Sequence, residues 1–508
     1  MLMGRTHPET SPQPTPIAAA YEQRRGSVLL LALASVLVFL IAATQCLGRT
    51  VSHQGWALPV SLACLLWLSI FLAATWRVYG TVYSFSVAYI LALSIFHLGL
   101  IVPVGLGIWN VPSITEDPWY EKAGWYTALA LGAFGSGVSL ALKNFRRQTE
   151  TSRKDPRAQH NLAVARWYGI GLLCASVAAV VLMISLLGNV LNLSRLDLFS
   201  GAGDIRGLGL FVIFFPSAAI LLTVAATRTS QLAFATLIAV AGFALFMISG
   251  DRSFALFPLL AGVVIWRKTG RRISPWLAAS LFGFLLIAIP AMGLLRSSGA
   301  RYSTISTQAV KSAFAGAQVE QTFIELGSSV GVLARTLEYV PGIDPYRYGE
   351  SYVLAAAETI PNITTRNRAW DRAEVLGKSG PARDEALRET QLGTWIAYRI
   401  LGEVPFSLGQ GTGFTAIGEP YVNFGFAGVA AFFTLLGYLL GRLDQKDLLL
   451  NLRWLLFCAA AFWPFTVTVR NDMPNFTKPL AFIYICLGVW RLLASFSRPR
   501  APAKTMTT

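Results

Sequence analysis

Acidic side chains are scarce in this chain, histidines number 4 and cysteines 5, and each shortage removes a class of function. Cys46, Cys64, Cys174, Cys458 and Cys486 have neither disulfide nor metal-ligand spacing. All fall inside apolar runs, so they read as small buried hydrophobes and leave the redox compartment undetermined. So few histidines argue against a His-based metal site, and His97, inside an apolar run, reads as a satisfied polar core residue. No Asp-x-Asp pair occurs, and Glu116 with Asp117 is the nearest thing to an acidic pair. A divalent-metal sugar transferase built on an acidic first loop is thereby disfavoured. No GxxxxGK[ST] phosphate loop is present, so ATP-driven transport by this chain alone is not supported. No small-residue cleavage site follows a short apolar core, so no cleavable signal peptide is expected.

What is abundant is apolar sequence: 54% of the 508 residues are hydrophobic and 13% charged. Apolar runs at 27–47, 57–76, 82–104, 124–142, 168–188, 208–226, 231–249, 253–267, 275–295, 422–441, 449–468 and 479–496 approach the roughly 20 residues that span a bilayer. The expectation is an all-α polytopic membrane protein of about 12 transmembrane helices. Residues 1–26 read as a disordered cytoplasmic tail, 27–295 as spans one to nine, 296–421 as a large outer loop, 422–496 as the last three spans, and 497–508 as a second cytoplasmic tail. Basic residues cluster at Lys143–Arg166 and Arg267–Arg272 and thin out on the alternate connections. By the positive-inside rule both termini are inside and the loop outside. The net charge of +16 is then topogenic and needs no nucleic acid. The segment Ser253–Arg267 is short and holds Pro258, so it reads as tilted, re-entrant or extended into the interface.

Within the loop, residues 304–339 show helical periodicity through Ala313, Phe314, Val319, Phe323, Ile324 and Leu326, and YVLAAAETIP from Tyr352 reads as a short helix stopped by Pro361. The mixed-sign stretch 364–391 reads as solvated or substrate-facing. The loop ends in SLGQGTGFTAIGEPYVNFGFAG, Ser407–Gly428. Gly409, Gly411 and Gly413 allow left-handed turns and close backbone approach. Pro420 suits the first helical position, which puts Glu419 at the N-cap and Asn423 one turn later on the same face. One reading is a membrane-surface site for a polar substrate. The plainer one is a helix cap, with Tyr421 and Phe424 in an interfacial aromatic belt.

Other charges fall where the outer ends of spans converge: Asp251 and Arg252 in ISGDRS, Arg296 and Arg301 after the ninth span, Arg470 and Asp472 in VRND. Arginine's planar fork fits phosphate oxygens in a bidentate way, so convergent outer arginines suggest a phosphate-bearing lipid. Local ion pairs at the interface are the alternative at each position.

Three passages carry a family resemblance. In GTGFTAIGEPYVNFGFAGVAAFFTLLGYLLG a glycine-rich turn precedes a Glu, an aromatic, an Asn-Phe-Gly and a span. YRYGESYVLAAAETIPN is a Tyr/Gly-containing segment ending in Ile-Pro, with Asn362 where an Arg is common, and SGDRSFALFPLL is an Arg-bearing turn. Together they resemble bacterial O-antigen and oligosaccharide repeat-unit polymerases, the Wzy-type integral membrane glycosyltransferases. The resemblance implies a GT-C-like fold in the bacterial inner membrane with the site facing the periplasm. It implies polymerisation of undecaprenyl-pyrophosphate-linked oligosaccharides without metal or other cofactor. The partners implied are those lipid-linked substrates, membrane lipids and a chain-length regulator of the same pathway. In this reading Glu419 is the base, and Arg252, Arg296, Arg301 and Arg470 clamp the pyrophosphate with Asp251 and Asp472 beside them. Tyr421 and Asn423 face the sugar or support the site.

An O-antigen ligase shares the class of fold and the large loop. A lipid-linked oligosaccharide flippase is the reading from another class, but it would be expected to show two similar halves and mid-span charges and to lack so long a loop.

Overall fold

The computed structural model describes residues 16–48, 55–143, 153–187, 208–248, 252–297, 307–359, 374–407 and 411–496. Among these the chain is helical, without strands. The first nine helices used here are α1 Pro16–Leu47, α2 Ala57–Tyr79, α3 Phe85–Leu98, α4 Pro118–Leu142, α5 Pro156–Leu187, α6 Leu208–Ala225, α7 Thr229–Ile248, α8 Arg252–Lys268 and α9 Pro275–Ser297. The loop adds α10 Thr307–Gly316, α11 Val319–Gly327, α12 Ser329–Tyr339, α13 Glu350–Ala357, α14 Pro381–Arg388 and α15 Leu392–Leu401. The C-terminal part holds α16 Gly418–Leu443, α17 Leu452–Phe457 continuing through a π turn at Cys458–Phe462 into α18 Trp463–Val467, and α19 Pro474–Phe496.

All twelve expected apolar runs therefore carry helix. Among the described residues, five helices are long and apolar enough to cross a membrane by length and composition: Glu22–Leu47, Ala57–Tyr79, Pro118–Leu142, Pro156–Leu182 and Gly418–Leu443. On α1, Leu29, Leu33, Leu37 and Leu40 are exposed, which water would penalise and lipid would not. The chain is an integral membrane protein. The segment with Pro258 is one continuous helix of 17 residues, which at the α-helical rise is about 26 Å. Cys174 is exposed on α5 and Cys486 half-buried on α19, so only Cys46, Cys64 and Cys458 are the buried hydrophobes expected. A thiol on a lipid-facing helix has no reason to turn inward.

Helix α4 is the axis of the bundle, buried along nearly its whole length and flanked by α1, α2 and α16. Small residues set how close it comes to α16. A Cβ on Gly137 would lie 2.0 Å from the Thr434 carbonyl oxygen, and one on Gly437 would lie 2.1 Å from that of Phe134. Without a hydrophobic force between helices in lipid, such close backbone packing is what holds them together.

The loop is folded onto one end of this bundle. Helices α10 to α12 occupy 307–339 as the periodicity predicts, with Ala313 and Leu326 buried. Phe314, Val319 and Ile324, of the same periodic pattern, are exposed. Short helices lying on a bundle bury one narrow stripe, and the remaining apolar residues face outward. Helix α13 starts at Glu350, two residues earlier than expected, and Pro361 lies outside the described residues. Helix α12 packs on α4 and α16, and its Arg335 pairs with Asp117 at the start of α4. In the mixed-sign stretch, Lys378–Glu374, Arg383–Glu403 and Arg388–Glu350 are surface ion pairs. Arg366, Arg368 and Arg372 lie outside the described residues.

Candidate functional site

Helix α16 begins on a backbone that only glycine permits. Gly413 has φ +76, and a Cβ there would come within 2.7 Å of the Arg470 carbonyl oxygen. The neighbouring Phe414 N–H donates to that carbonyl at 2.8 Å, which binds the turn to the segment after α18. Gly409 lies outside the described residues. Glu419 is not the N-cap. Thr415 does the capping: its Oγ1 accepts from Ile417 N and Gly418 N at 3.1 and 3.4 Å, and its carbonyl accepts from Glu419 N at 3.1 Å. The helix therefore opens at Gly418, and Pro420 sits inside the first turn, where its missing N–H still costs nothing.

The Thr415 hydroxyl has one proton, and His97 takes it. His97 Nδ1 is 3.0 Å from the Leu93 carbonyl, which can only accept, so that nitrogen carries the hydrogen. Nε2 then accepts from Thr415 Oγ1 at 2.7 Å. The histidine is fully buried and satisfied, as its sequence context suggested.

One turn on, α16 breaks. Phe424 (φ −140°, ψ 16°) and Gly425 (φ 60°, ψ −145°) are non-helical, and a Cβ on Gly425 would meet the Tyr346 hydroxyl at 3.1 Å. A break releases carbonyls that a continuous helix would use. Here amides of the YRYGES segment take them: Arg347 N donates to Val422 O at 2.9 Å and Tyr348 N to Asn423 O at 3.1 Å. Two of the three passages that resemble the polymerases are thus hydrogen-bonded to each other.

Between them sit the side chains of interest. Glu419 is 3% exposed. Its Oε1 accepts from Ser351 Oγ at 3.0 Å and its Oε2 from Met473 N at 2.8 Å, beside the N-terminus of α19, where the helix dipole favours negative charge. Asn423 lies one turn from Glu419, as expected. Its Nδ2 donates to Ser351 Oγ at 2.7 Å and to the Glu419 carbonyl at 2.8 Å, and its Oδ1 accepts from Gly349 N at 2.9 Å. Tyr421 donates its hydroxyl to Val340 O at 3.0 Å and meets Tyr126 edge-on.

Arg470 and Asp472 lie on the turn that supplies Met473. The Arg470 guanidinium rests 5.9 Å above the Phe96 ring. Asp472 accepts from Gly393 N at 2.9 Å and from Asn475. Arg252 opens α8 and Arg296 lies in the last turn of α9, with side chains outside the described residues. Asp251 and Arg301 lie outside them altogether. The first turns of α8 reach the same neighbourhood through Phe257 against Phe96 and Phe254 against Trp463. Among the described residues, no three His, Cys, Asp or Glu side chains gather as a metal ion would need.

The YRYGES segment, which holds none of the site residues expected from the sequence, completes the arrangement. Ser351 bonds both Glu419 and Asn423 through its hydroxyl. Arg347 is 4% exposed, donates to the Thr390 carbonyl at 3.1 Å and faces the Trp395 ring at 5.6 Å. Burial pushes its guanidinium down to about 10, against the pull of Asp344, Glu350 and Glu419, and away from Arg388. It is therefore charged at neutral pH. Burial, and then the nearby Glu419, raise the Tyr352 phenol above its ordinary value. The signal for this segment was an arginine set between two tyrosines ahead of a glycine.

The family described as O-antigen polysaccharide polymerase Wzy matches residues 28–498. No curated protein and no solved structure matches the chain.

Proposed function

Because the chain belongs to the O-antigen polysaccharide polymerase Wzy family, we propose that it joins undecaprenyl-pyrophosphate-linked oligosaccharide repeat units into a surface polysaccharide. It acts as a glycosyltransferase on the periplasmic side of the inner membrane. The observation that carries the reading is the junction of two distant passages around Glu419, Ser351 and Asn423, next to the Arg470–Met473 turn. In the reaction, a sugar hydroxyl of the incoming unit loses its proton to the base as its oxygen bonds to the anomeric carbon of the growing chain. The bond from that carbon to pyrophosphate breaks, and the lipid pyrophosphate leaves with the electron pair. Glu419 is the base, a role worth roughly 10²–10⁴-fold. Arg470, with Arg252, Arg296 and Arg301, meets the charge that develops on pyrophosphate, and Asp251 and Asp472 orient those arginines. Tyr421 and Asn423 hold the shape of the pocket. The hydroxyl of Ser351, 3.0 Å from Glu419 Oε1, stands where the acceptor hydroxyl would replace it.

Burial of Glu419 with both oxygens engaged favours a second reading, in which the residue only braces the loop against α19. Glu419→Gln separates the two. Gln can accept from Met473 N through Oε1 and donate through Nε2 to Ser351 Oγ, so the brace survives while the basicity is gone. The base reading expects the polysaccharide ladder to collapse to single repeats with protein at normal level in the membrane. A native ladder from that variant, with collapse only in Glu419→Ala, would leave the brace. A purified-protein assay with lipid-pyrophosphate oligosaccharide tests the polymerase against the ligase and flippase readings, since polymerase alone lengthens the glycan on its lipid. In this reading both termini lie inside and twelve spans cross the bilayer, which reporter fusions to each connection would test.

A further inference from the structure

Tyr348 is the one non-glycine residue among those described that has positive φ, +46°. Left-handed backbone is unfavourable for a bulky side chain and persists only where the surroundings impose it. Three bonds impose it here: Arg347 N to Val422 O, Tyr348 N to Asn423 O, and Gly349 N to Asn423 Oδ1. Packing gives no return for the strain, because the Tyr348 side chain is left 75% exposed. Phe424, held in the break of α16, is 50% exposed as well. Behind these rings stand two more. Tyr352 lies parallel to Phe424 at 6.5 Å, and Tyr346 meets Tyr348 edge-on at 6.3 Å. At the rim, Arg388 Nε and Nη2 bond Glu350 at 3.2 and 3.0 Å, with both partners exposed.

We propose that Tyr348 and Phe424, with the Glu350–Arg388 pair, form a sugar-binding subsite that holds one pyranose ring of the oligosaccharide near Glu419. The inference rests on the polymerase reading and names the part of the substrate this surface takes. The faces of a pyranose carry C–H groups of slight positive charge, which match the negative face of an aromatic ring. Its rim carries hydroxyls that both donate and accept. An already paired carboxylate and guanidinium offers both functions at no net charge, and so suits hydroxyls better than phosphate. An interfacial belt would also expose Tyr and Phe. A belt residue needs only depth, however, and a free rotamer on unstrained backbone provides it.

The test uses full-length protein in nanodiscs and the lipid-free repeat-unit oligosaccharide cut from the host's own polysaccharide. Binding is read by saturation-transfer NMR and by titration. Tyr348→Gly removes the ring and also the strain, since glycine takes this φ freely. It should weaken binding about tenfold while the thermal midpoint stays level or rises, and Phe424→Leu should weaken binding similarly. Tyr348→Phe should bind within about threefold of native. The proposal is overturned if the native protein does not bind the lipid-free oligosaccharide. Tyr348→Gly and Phe424→Leu both binding like native would overturn it equally. If the native protein binds but never lengthens lipid-linked glycan, the polymerase reading fails and the subsite stands. If it lengthens glycan and Tyr348→Gly leaves the acceptor KM unchanged, the subsite alone fails.

Discussion

Each end of α16 carries a buried carboxylate that receives the amides at the start of another helix. At one end Glu419 takes Met473 N ahead of α19. At the other Asp444 takes Phe85 N at 2.6 Å and Ser86 N at 3.1 Å at the start of α3, with Ser86 Oγ at 2.5 Å. Lys268 holds the Asp444 carbonyl at 2.7 Å. A buried carboxylate at a helix N-terminus is thus not by itself a sign of chemistry, because the Asp444 end is a complete account of a structural cap. What differs is the company. Asp444 is ringed by neighbours local to α3 and α8. Glu419 joins a loop segment, a broken helix and the turn before α19, beside a strained tyrosine and exposed aromatic rings.

Substitution by the isosteric amide sharpens the contrast most. At Asp444 an amide nitrogen would face the Ser86 N–H, donor against donor, and a buried donor left unpaired costs about 1–3 kcal/mol. Asp444→Asn should lower the thermal midpoint and the amount of protein, while activity per folded molecule stays near native. Glu419→Gln should do the reverse, with protein amount near native and polymerisation lower by roughly 100-fold or more, as for a lost general base. Immunoblotting beside a polysaccharide gel reads both. If the two variants fail in the same way, the ends of α16 are equivalent and Glu419 is a brace.

Glycine gives the next largest effect. Gly425→Ala must place a Cβ at φ 60°, ψ −145°, a conformation nearly reserved for glycine, 3.1 Å from the Tyr346 hydroxyl, at a cost of roughly 1–3 kcal/mol for the backbone alone. Polymer should fall with it. Gly488→Ala on α19, with nothing within 4 Å, should be neutral or slightly stabilising. Equal thermal shifts in the two variants would remove the case that the break in α16 is imposed.

These contrasts also show what the sequence could reveal. The helices were legible because apolar runs of spanning length have one structural outcome in lipid. The Glu419–Asn423 relation was legible because helical spacing is rigid. The cap lies earlier than expected because Pro is tolerated throughout a first turn, and the start is decided by the Thr415 hydroxyl, a group favoured at helix caps, four residues ahead of Glu419. The pairing of Arg347 and Tyr348 with Val422 and Asn423 was illegible for a different reason. It is made by backbone amides on carbonyls freed by a helix break, so no side-chain pattern announces it. Ser351 was passed over because one serine in an alanine-rich helix carries no signal until its partner is in place.

The smallest effect separates the rim from the interior of the loop. Arg388–Glu350 is exposed on both sides, whereas Arg399 and Asp344 are each about one-fifth exposed and are joined by two bonds, of 2.8 and 3.1 Å, with Trp395 Nε1 on the same carboxylate at 3.2 Å. Exposed pairs contribute about 0.2–1 kcal/mol because water and salt screen them. A double-mutant cycle on thermal stability should therefore give Arg388–Glu350 a coupling below about 1 kcal/mol that fades in high salt. Arg399–Asp344 should give a larger coupling that salt changes less, since its partners are largely withdrawn from water. A strong, salt-resistant coupling at Arg388–Glu350 would mean that the pair holds the loop together. A weak one leaves its two side chains free to trade each other for the hydroxyls of a sugar at little cost to the fold, which is what a rim beside Tyr348 requires.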